Sequence, residues 1–207
     1  MELSEVAGAY DLDDPRLAQP VIGSMDNMTR YCAMLAASRL LACARAGYSD
    51  VLKARKIIDF GTGSGASAFS LGLLAQQSRG SVDALELNTN LDWAEKIEQT
   101  GLTRHLPVRV HDGDGLQWIS SRAQEGERYD LIAGCWFGPD YTGDLARGLL
   151  TASQQALASG GLLIVYSDLP TMKSVQNVCN EEPGYHLIEG QKDVRLYEPD
   201  MVVIRQP

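Results

Sequence analysis

Residues 59–65 read Asp-Phe-Gly-Thr-Gly-Ser-Gly, a carboxylate followed by glycines at alternate positions, Gly61, Gly63 and Gly65, with Thr62 between the first two. Glycine takes positive φ and has no Cβ, so such a run turns sharply and lets a ligand lie against bare backbone. The flanks say where the run sits. Ile57, Ile58 and Phe60 suit a strand covered on both faces. Ala66 to Gln77 has helical character, so the glycines join a strand to a helix N-terminus, the context expected of a nucleotide-binding loop rather than a glycine-rich structural turn. Gly61, Gly63 and Ala66 also satisfy the dinucleotide pattern G-x-G-x-x-G/A. Asp59 tips the balance: a carboxylate repels a pyrophosphate but welcomes an ammonium group. No G-x-x-x-x-G-K-[S/T] occurs, which excludes a Walker-type phosphate loop.

Two further acids stand where strands should end. Glu86 follows an apolar run from Val82 and lies somewhat over twenty residues past the glycines, where an acid can accept hydrogen bonds from ribose hydroxyls. It could instead cap the next helix, but Asn88 and Asn90 already offer caps. Val108 to His111 is a third strand ending in Asp112-Gly113-Asp114-Gly115, and Asp114 also suits a helix N-cap. For proton transfer the candidates are His111, Asp140 and His186, with His111 closest by topology to the strand ends. A histidine at a strand end can equally be structural. Cys135 has no visible partner that would make it a covalent nucleophile.

These residues need elements to position them, and the chain supplies an alternation of strands and helices. Residues 1–24 form an irregular N-terminal arm punctuated by Pro15, Pro20 and Gly23. A helix capped by Ser24 or Asp26 runs to Arg45 or Ala46, with Met28, Cys32, Leu35 and Arg39 on one stripe and Gly47 as its stop. Either this helix simply covers a sheet edge, or the arm with Tyr10, Met25 and Asn27 closes as a lid over a ligand. After the second and third strands, Tyr129 to Gly134 is the fourth, and Cys135 to Tyr141 its loop. Leu145 to Ala158 is a helix stopped by Gly160-Gly161, Gly161 to Tyr166 the fifth strand, and Thr171 to Asn180 its helix. The runs Tyr185 to Glu189 and Met201 to Arg205 have no helix-sized segment between them, so the last strand must be antiparallel to its neighbours. The expected fold class is α/β: a Rossmann-like, seven-stranded, mostly parallel mixed sheet with helices on both faces. Residues 25–207 read as one domain.

From about residue 50 onward the chain resembles the class I S-adenosylmethionine (SAM)-dependent methyltransferases. The resemblance rests on Asp59-Phe60-Gly61-Thr62-Gly63-Ser64-Gly65, Glu86, Gly113-Asp114 and the strand order. It implies SAM as cofactor, with Asp59 toward the methionine ammonium, Glu86 on the ribose and Asp114 on the adenine amine. The implied cofactor-binding set is Asp59, Gly61, Thr62, Gly63, Gly65, Glu86, Leu87, Gly113, Asp114, Gly115 and Cys135, with His111 and Asp140 as catalytic candidates. Two departures narrow the subfamily. The loop after strand four reads Gly-Cys-Trp-Phe-Gly-Pro, not the (D/N)-P-P-(Y/F) of amino-methylating enzymes. Gly134 and Ser167-Asp168 stand where catechol-type enzymes place metal-binding acids, so no metal is expected.

Composition bounds the acceptor. The net charge is −9, and the densest positive cluster, Lys53-Ala54-Arg55-Lys56, merely leads into the first strand, which disfavours a nucleic-acid substrate. The expected acceptor is a small molecule or a protein side chain, the former favoured because there is no appended recognition domain. Four scattered cysteines suggest reduced thiols. The acidic N-terminus is unlike a leader, and the most apolar helix contains Arg39 and is too short for a bilayer, so the expectation is a cytoplasmic protein without membrane partners. Oligomeric state stays open. The rival readings are a methyltransferase-fold partner module without turnover and an NAD(P)-dependent oxidoreductase, against which Asp59 counts.

Overall fold

A computed structural model describes residues 21–86, 92–135, 143–166, 186–188 and 201–206. A 3-10 turn, Ile22–Ser24, precedes helix α1 (Asn27–Arg45), whose N-terminus is capped by Asp26, the carboxylate accepting the Thr29 N–H at 2.7 Å. A 3-10 turn, Ser49–Lys53, leads to β1 (Lys56–Phe60) and α2 (Ala66–Ser78). Then follow β2 (Ser81–Glu86), α3 (Asp92–Thr100), the short α4 (Leu102–His105), β3 (Val108–Asp112), α5 (Gly115–Gln124) and β4 (Tyr129–Cys135). The chain closes with α6 (Gly143–Ala156), β5 (Leu157–Tyr166), β6 (His186–Ile188) and β7 (Met201–Arg205).

The strands form one mixed sheet in the order β3-β2-β1-β4-β5-β7-β6. β1 to β5 pair in parallel, and β7 runs antiparallel to both β5 and β6, the arrangement expected of a terminal pair without a crossover helix. Both faces are covered, which explains the continuous apolar runs. Ile57, Val82, Leu131 and Ile164 pack into the layer with α1 and α2. Their neighbours Ile58, Phe60, Ile132 and Leu163 pack into the opposite layer with Ile119 of α5 and Leu149 of α6. Strand alternation thus divides one apolar sequence between two cores.

Three details differ from the sequence expectation. β5 begins at Leu157 rather than Gly161, because Leu157 already pairs with Tyr129 of β4 ahead of a register shift between Tyr129 and Leu131. Gly160 at φ 76° donates to Gln206 O, and Gln206 N donates to Gly161 O, so the glycines lie within the sheet's margin instead of ending a helix. The stripe on α1 is also placed differently: Met28 is 65% exposed, whereas Ala33, Ala36, Ala37, Leu40 and Cys43 form the buried face. Small residues there let α1 lie close to α2, where Ser70 Oγ donates to Ala33 O at 2.7 Å. The Thr171–Asn180 helix and most of the N-terminal arm lie outside the described residues.

The strand order creates the site. The chain moves from β1 outward to β2 and β3, then returns to place β4 on the other side of β1. In open α/β sheets the carboxyl ends at such a reversal form a crevice, and Asp59 and the glycines stand at the end of β1.

Candidate functional site

β1 delivers Asp59 into a position flanked by Ala84 of β2 and Ala133 of β4, and its residue is fully buried. One carboxylate oxygen, Oδ2, accepts the Ser67 hydroxyl at 2.8 Å from the first turn of α2. The other, Oδ1, is buried with no hydrogen-bond partner, and so is the Thr62 hydroxyl. Burial pushes the Asp59 carboxyl up to about 7; the Thr62 and Ser67 hydroxyls pull it down, and the charge of Glu86 adds to the rise. Thr62 acts here by proximity, since its hydroxyl falls outside hydrogen-bond geometry. A buried oxygen without a donor is costly and calls for a partner, and a cationic donor would also restore the charge.

The glycine loop is stitched to β2. The amides of Gly61 and Thr62 both donate to Leu85 O, at 2.9 and 3.0 Å, and Gly65 N closes a turn onto Thr62 O at 2.9 Å. Gly61, Gly63 and Gly65 have φ of 77°, 51° and 86°, the left-handed region in which an L side chain is strained. Gly65 is the N-cap position of α2. Glu86, half-buried at the end of β2, accepts the Gly63 N–H through Oε2 at 2.5 Å. Loop and acid, 23 residues apart in sequence, therefore meet directly.

Beside them opens a cleft of about 170 Å³ walled by Gly61 to Ser64, Ser67, Tyr166 at the end of β5, and Cys32 and Leu35 of α1. The Thr29 hydroxyl donates to Ser64 Oγ at 3.4 Å, tying the start of α1 to the loop. Sequence reasoning missed Ser67 and Tyr166 as site residues, and it left the α1 contribution undecided. The only available signal was the spacing of Cys32 and Leu35 on one helical stripe.

The other candidates are distributed as follows. Asp114 caps α5, with Oδ1 accepting the amides of Leu116 and Gln117 at 2.9 and 3.1 Å; the side chain is exposed at the carboxyl edge of the sheet. Gly113 has φ 117°, and Gly115 packs so tightly on Phe60 that a Cβ would come within 2.8 Å of its ring. His111 does not line the cleft. Its Nε2 lies 2.8 Å from Asp83 Oδ1, and its ring stacks on Trp118 of α5 with centroids 4.7 Å apart. Arg109 shares the same acid, its Nε 3.0 Å from Asp83 Oδ1, and Tyr129 OH donates to Asp83 Oδ2 at 3.5 Å. Cys135 ends β4 opposite Tyr166 of β5. Leu87 and Asp140 lie outside the described residues.

No family model and no curated protein matches the chain. Solved structures do. A protein from Klebsiella pneumoniae, proposed to be an O-methyltransferase, is 15% identical and superimposes with a TM-score of 0.61, covering 99% of this chain and 96% of its own. The O-methyltransferase TomG of Streptomyces achromogenes, involved in tomaymycin synthesis and solved in complex with SAM, is 17% identical, with a TM-score of 0.59 over 99% and 89%. A cofactor-bound protein from MTB is 18% identical, with a TM-score of 0.59 over 99% and 90%. The chain has the fold of the class I methyltransferases.

Proposed function

We propose that this chain, built on the class I methyltransferase fold, is a SAM-dependent methyltransferase whose acceptor is a small molecule or a protein side chain, the former favoured. The observation that carries the reading is Asp59 Oδ1, a buried carboxylate oxygen without a donor beside a glycine loop. An ammonium group supplies both the missing donor and a charge that holds the carboxylate ionised. A pyrophosphate would supply neither, which sets the NAD(P) reading aside.

The residues present fit the cofactor in order along the sheet edge. Asp59 and Thr62 would take the amino-acid end, Glu86 the ribose hydroxyls and Asp114 the adenine amine. Asp114 can cap α5 and still accept another bond, because both amide contacts fall on Oδ1. Glu86 already meets the Gly63 amide, so the acid that would hold the ribose also fixes the loop. When bound, SAM supplies an electrophilic methyl on a sulfonium, a leaving group already in place. The chain's own work is to hold an acceptor in line and keep water out, and alignment of this kind supplies much of the acceleration. Cys32, Leu35 and Tyr166 make the cleft wall apolar enough for a planar or aliphatic acceptor.

The test pairs binding with transfer. Micromolar binding of SAM, together with labelled methyl transfer to a small-molecule panel, is expected. Binding without transfer to any small molecule or protein extract would instead favour a partner module that has lost turnover.

A further inference from the structure

The residues lining the cleft fall into two groups. Gly61 to Ser64, Ala66 and Ser67 belong to the glycine loop and the start of α2. Cys32 and Leu35 come from α1, where a spacing of three puts them on one face of the helix, and Tyr166 ends β5. These three stand outside the loop and the strand-end acids that fit the cofactor.

Charge is the first property of the cleft. No described residue lining it is charged. Burial, and then the charge of Asp26, raise the Cys32 thiol above its usual range, so it stays protonated. A neutral thiol packs as a small apolar group, and with Leu35 and the Tyr166 ring it makes this side of the cleft apolar. The Asp59 carboxylate lies one hydrogen bond behind the lining, on Ser67 Oγ at 2.8 Å, and counts further against an anion. A carboxylate or phosphate seated here would lose water and gain no cation in return. Bulk is the second property. The space is about 170 Å³, and a cavity of about 150 Å³ holds one benzene ring. A single six-membered ring fits, and a fused pair does not.

We propose that Cys32, Leu35 and Tyr166 form an acceptor subsite that selects an uncharged small molecule no bulkier than one ring. Giving this side of the cleft to the acceptor rests on the SAM reading above, whereas the selection by charge and bulk stands on the cleft itself.

Fluorine NMR on the full chain tests both parts, with para-fluorophenol, para-fluorobenzoate and a fluoronaphthol as probes at neutral pH. Each is titrated with and without saturating S-adenosylhomocysteine. The phenol should bind in both states, and the benzoate and naphthol should bind about tenfold or more weakly. Cys32→Phe fills the cleft and should abolish phenol binding. Leu35→Ala removes bulk from the wall and should admit the naphthol, a gain that a misfolded variant would not show. Equal affinity for the three probes, no phenol binding, or no gain in Leu35→Ala overturns the selection. Phenol binding unchanged in Cys32→Phe puts the probe elsewhere and overturns the subsite. Displacement of the phenol by S-adenosylhomocysteine would give the whole cleft to the cofactor, which overturns the acceptor subsite and leaves the SAM reading standing. Phenol binding by a chain that takes no adenosyl ligand would keep the selection but overturn its assignment to a methyl acceptor, together with the SAM reading.

Discussion

The Glu86 carboxylate at the end of β2 accepts the backbone N–H of Gly63 at 2.5 Å, so the second strand's acid holds the first strand's loop. This contact couples two parts of the site that sequence reading treats as separate. A charge-assisted bond of this kind contributes about 1.5–3 kcal/mol. Glu86→Ala should therefore weaken S-adenosylhomocysteine by about tenfold or more and speed hydrogen exchange at the Gly63 amide. Unchanged exchange with weakened binding would mean that Glu86 serves the ligand and not the loop.

Asp59 gives the pH dependence. Its carboxyl is raised by burial from 3.8 to about 7, so the folded chain holds a proton that the unfolded chain releases. The stability that this proton contributes is complete below about 3.8 and is lost as pH rises toward 7. Asp59→Asn should flatten that decline in urea-unfolding series taken between the two values. Ligand binding at pH 6 should release a proton, seen as a dependence of the calorimetric enthalpy on buffer ionisation heat and absent in Asp59→Asn. A wild-type enthalpy independent of buffer would show that Asp59 is already ionised.

Two glycines should respond differently to alanine. At Gly115 a Cβ would come within 2.8 Å of Phe60 Cε2 in the core, an overpacking that costs about 1–3 kcal/mol. At Gly63 nothing lies within 4 Å, and the cost is only the left-handed φ of +51°, about 1 kcal/mol. Chemical denaturation should rank Gly115→Ala as the more destabilised of the two, and the reverse order would contradict the packing described.

Asp83, 5% exposed, gathers His111, Arg109 and Tyr129 on the α5 side of β2 and β3, and burial with the Asp83 charge raises the Tyr129 hydroxyl above its usual range. Asp83→Ala should cost about 1–3 kcal/mol of stability, because it strips several donors of their acceptor, although the exposed Arg109 recovers part of the loss in water. It should change S-adenosylhomocysteine affinity by no more than about twofold, since the cluster shares no partner with the cleft. A tenfold loss would place this cluster within the site.

The strand-end geometry of the candidate site was legible in the sequence because it depends on local features. Strand, glycines and strand-end acids each sit within a few residues of the turn they build, and parallel register then brings Asp59, Glu86 and Asp114 to one edge of the sheet. What the sequence hid depends on contacts between distant segments. Ser67 reads as an ordinary helical serine until α2 lays it on Asp59, and Tyr166 as the end of an apolar strand until β5 reaches the cleft. His111 attracts attention at a strand end, yet its imidazole is held on the sheet's face by Asp83, a residue that reads as one polar interruption in a buried strand. The β5 boundary was misplaced because Gly160-Gly161 is a usual helix stop, while here the pair lies inside β5 at the irregularity in its pairing with β4.

The central claim is that Asp59 and the glycine loop hold SAM. Calorimetric titration of SAM, S-adenosylhomocysteine and NAD into wild type and Asp59→Asn tests it most directly. The account expects micromolar binding of the two adenosyl ligands, no NAD binding, and at least about a tenfold loss in the variant, the scale of one charge-assisted contact. NAD binding without SAM, or SAM binding indifferent to Asp59→Asn, would contradict it.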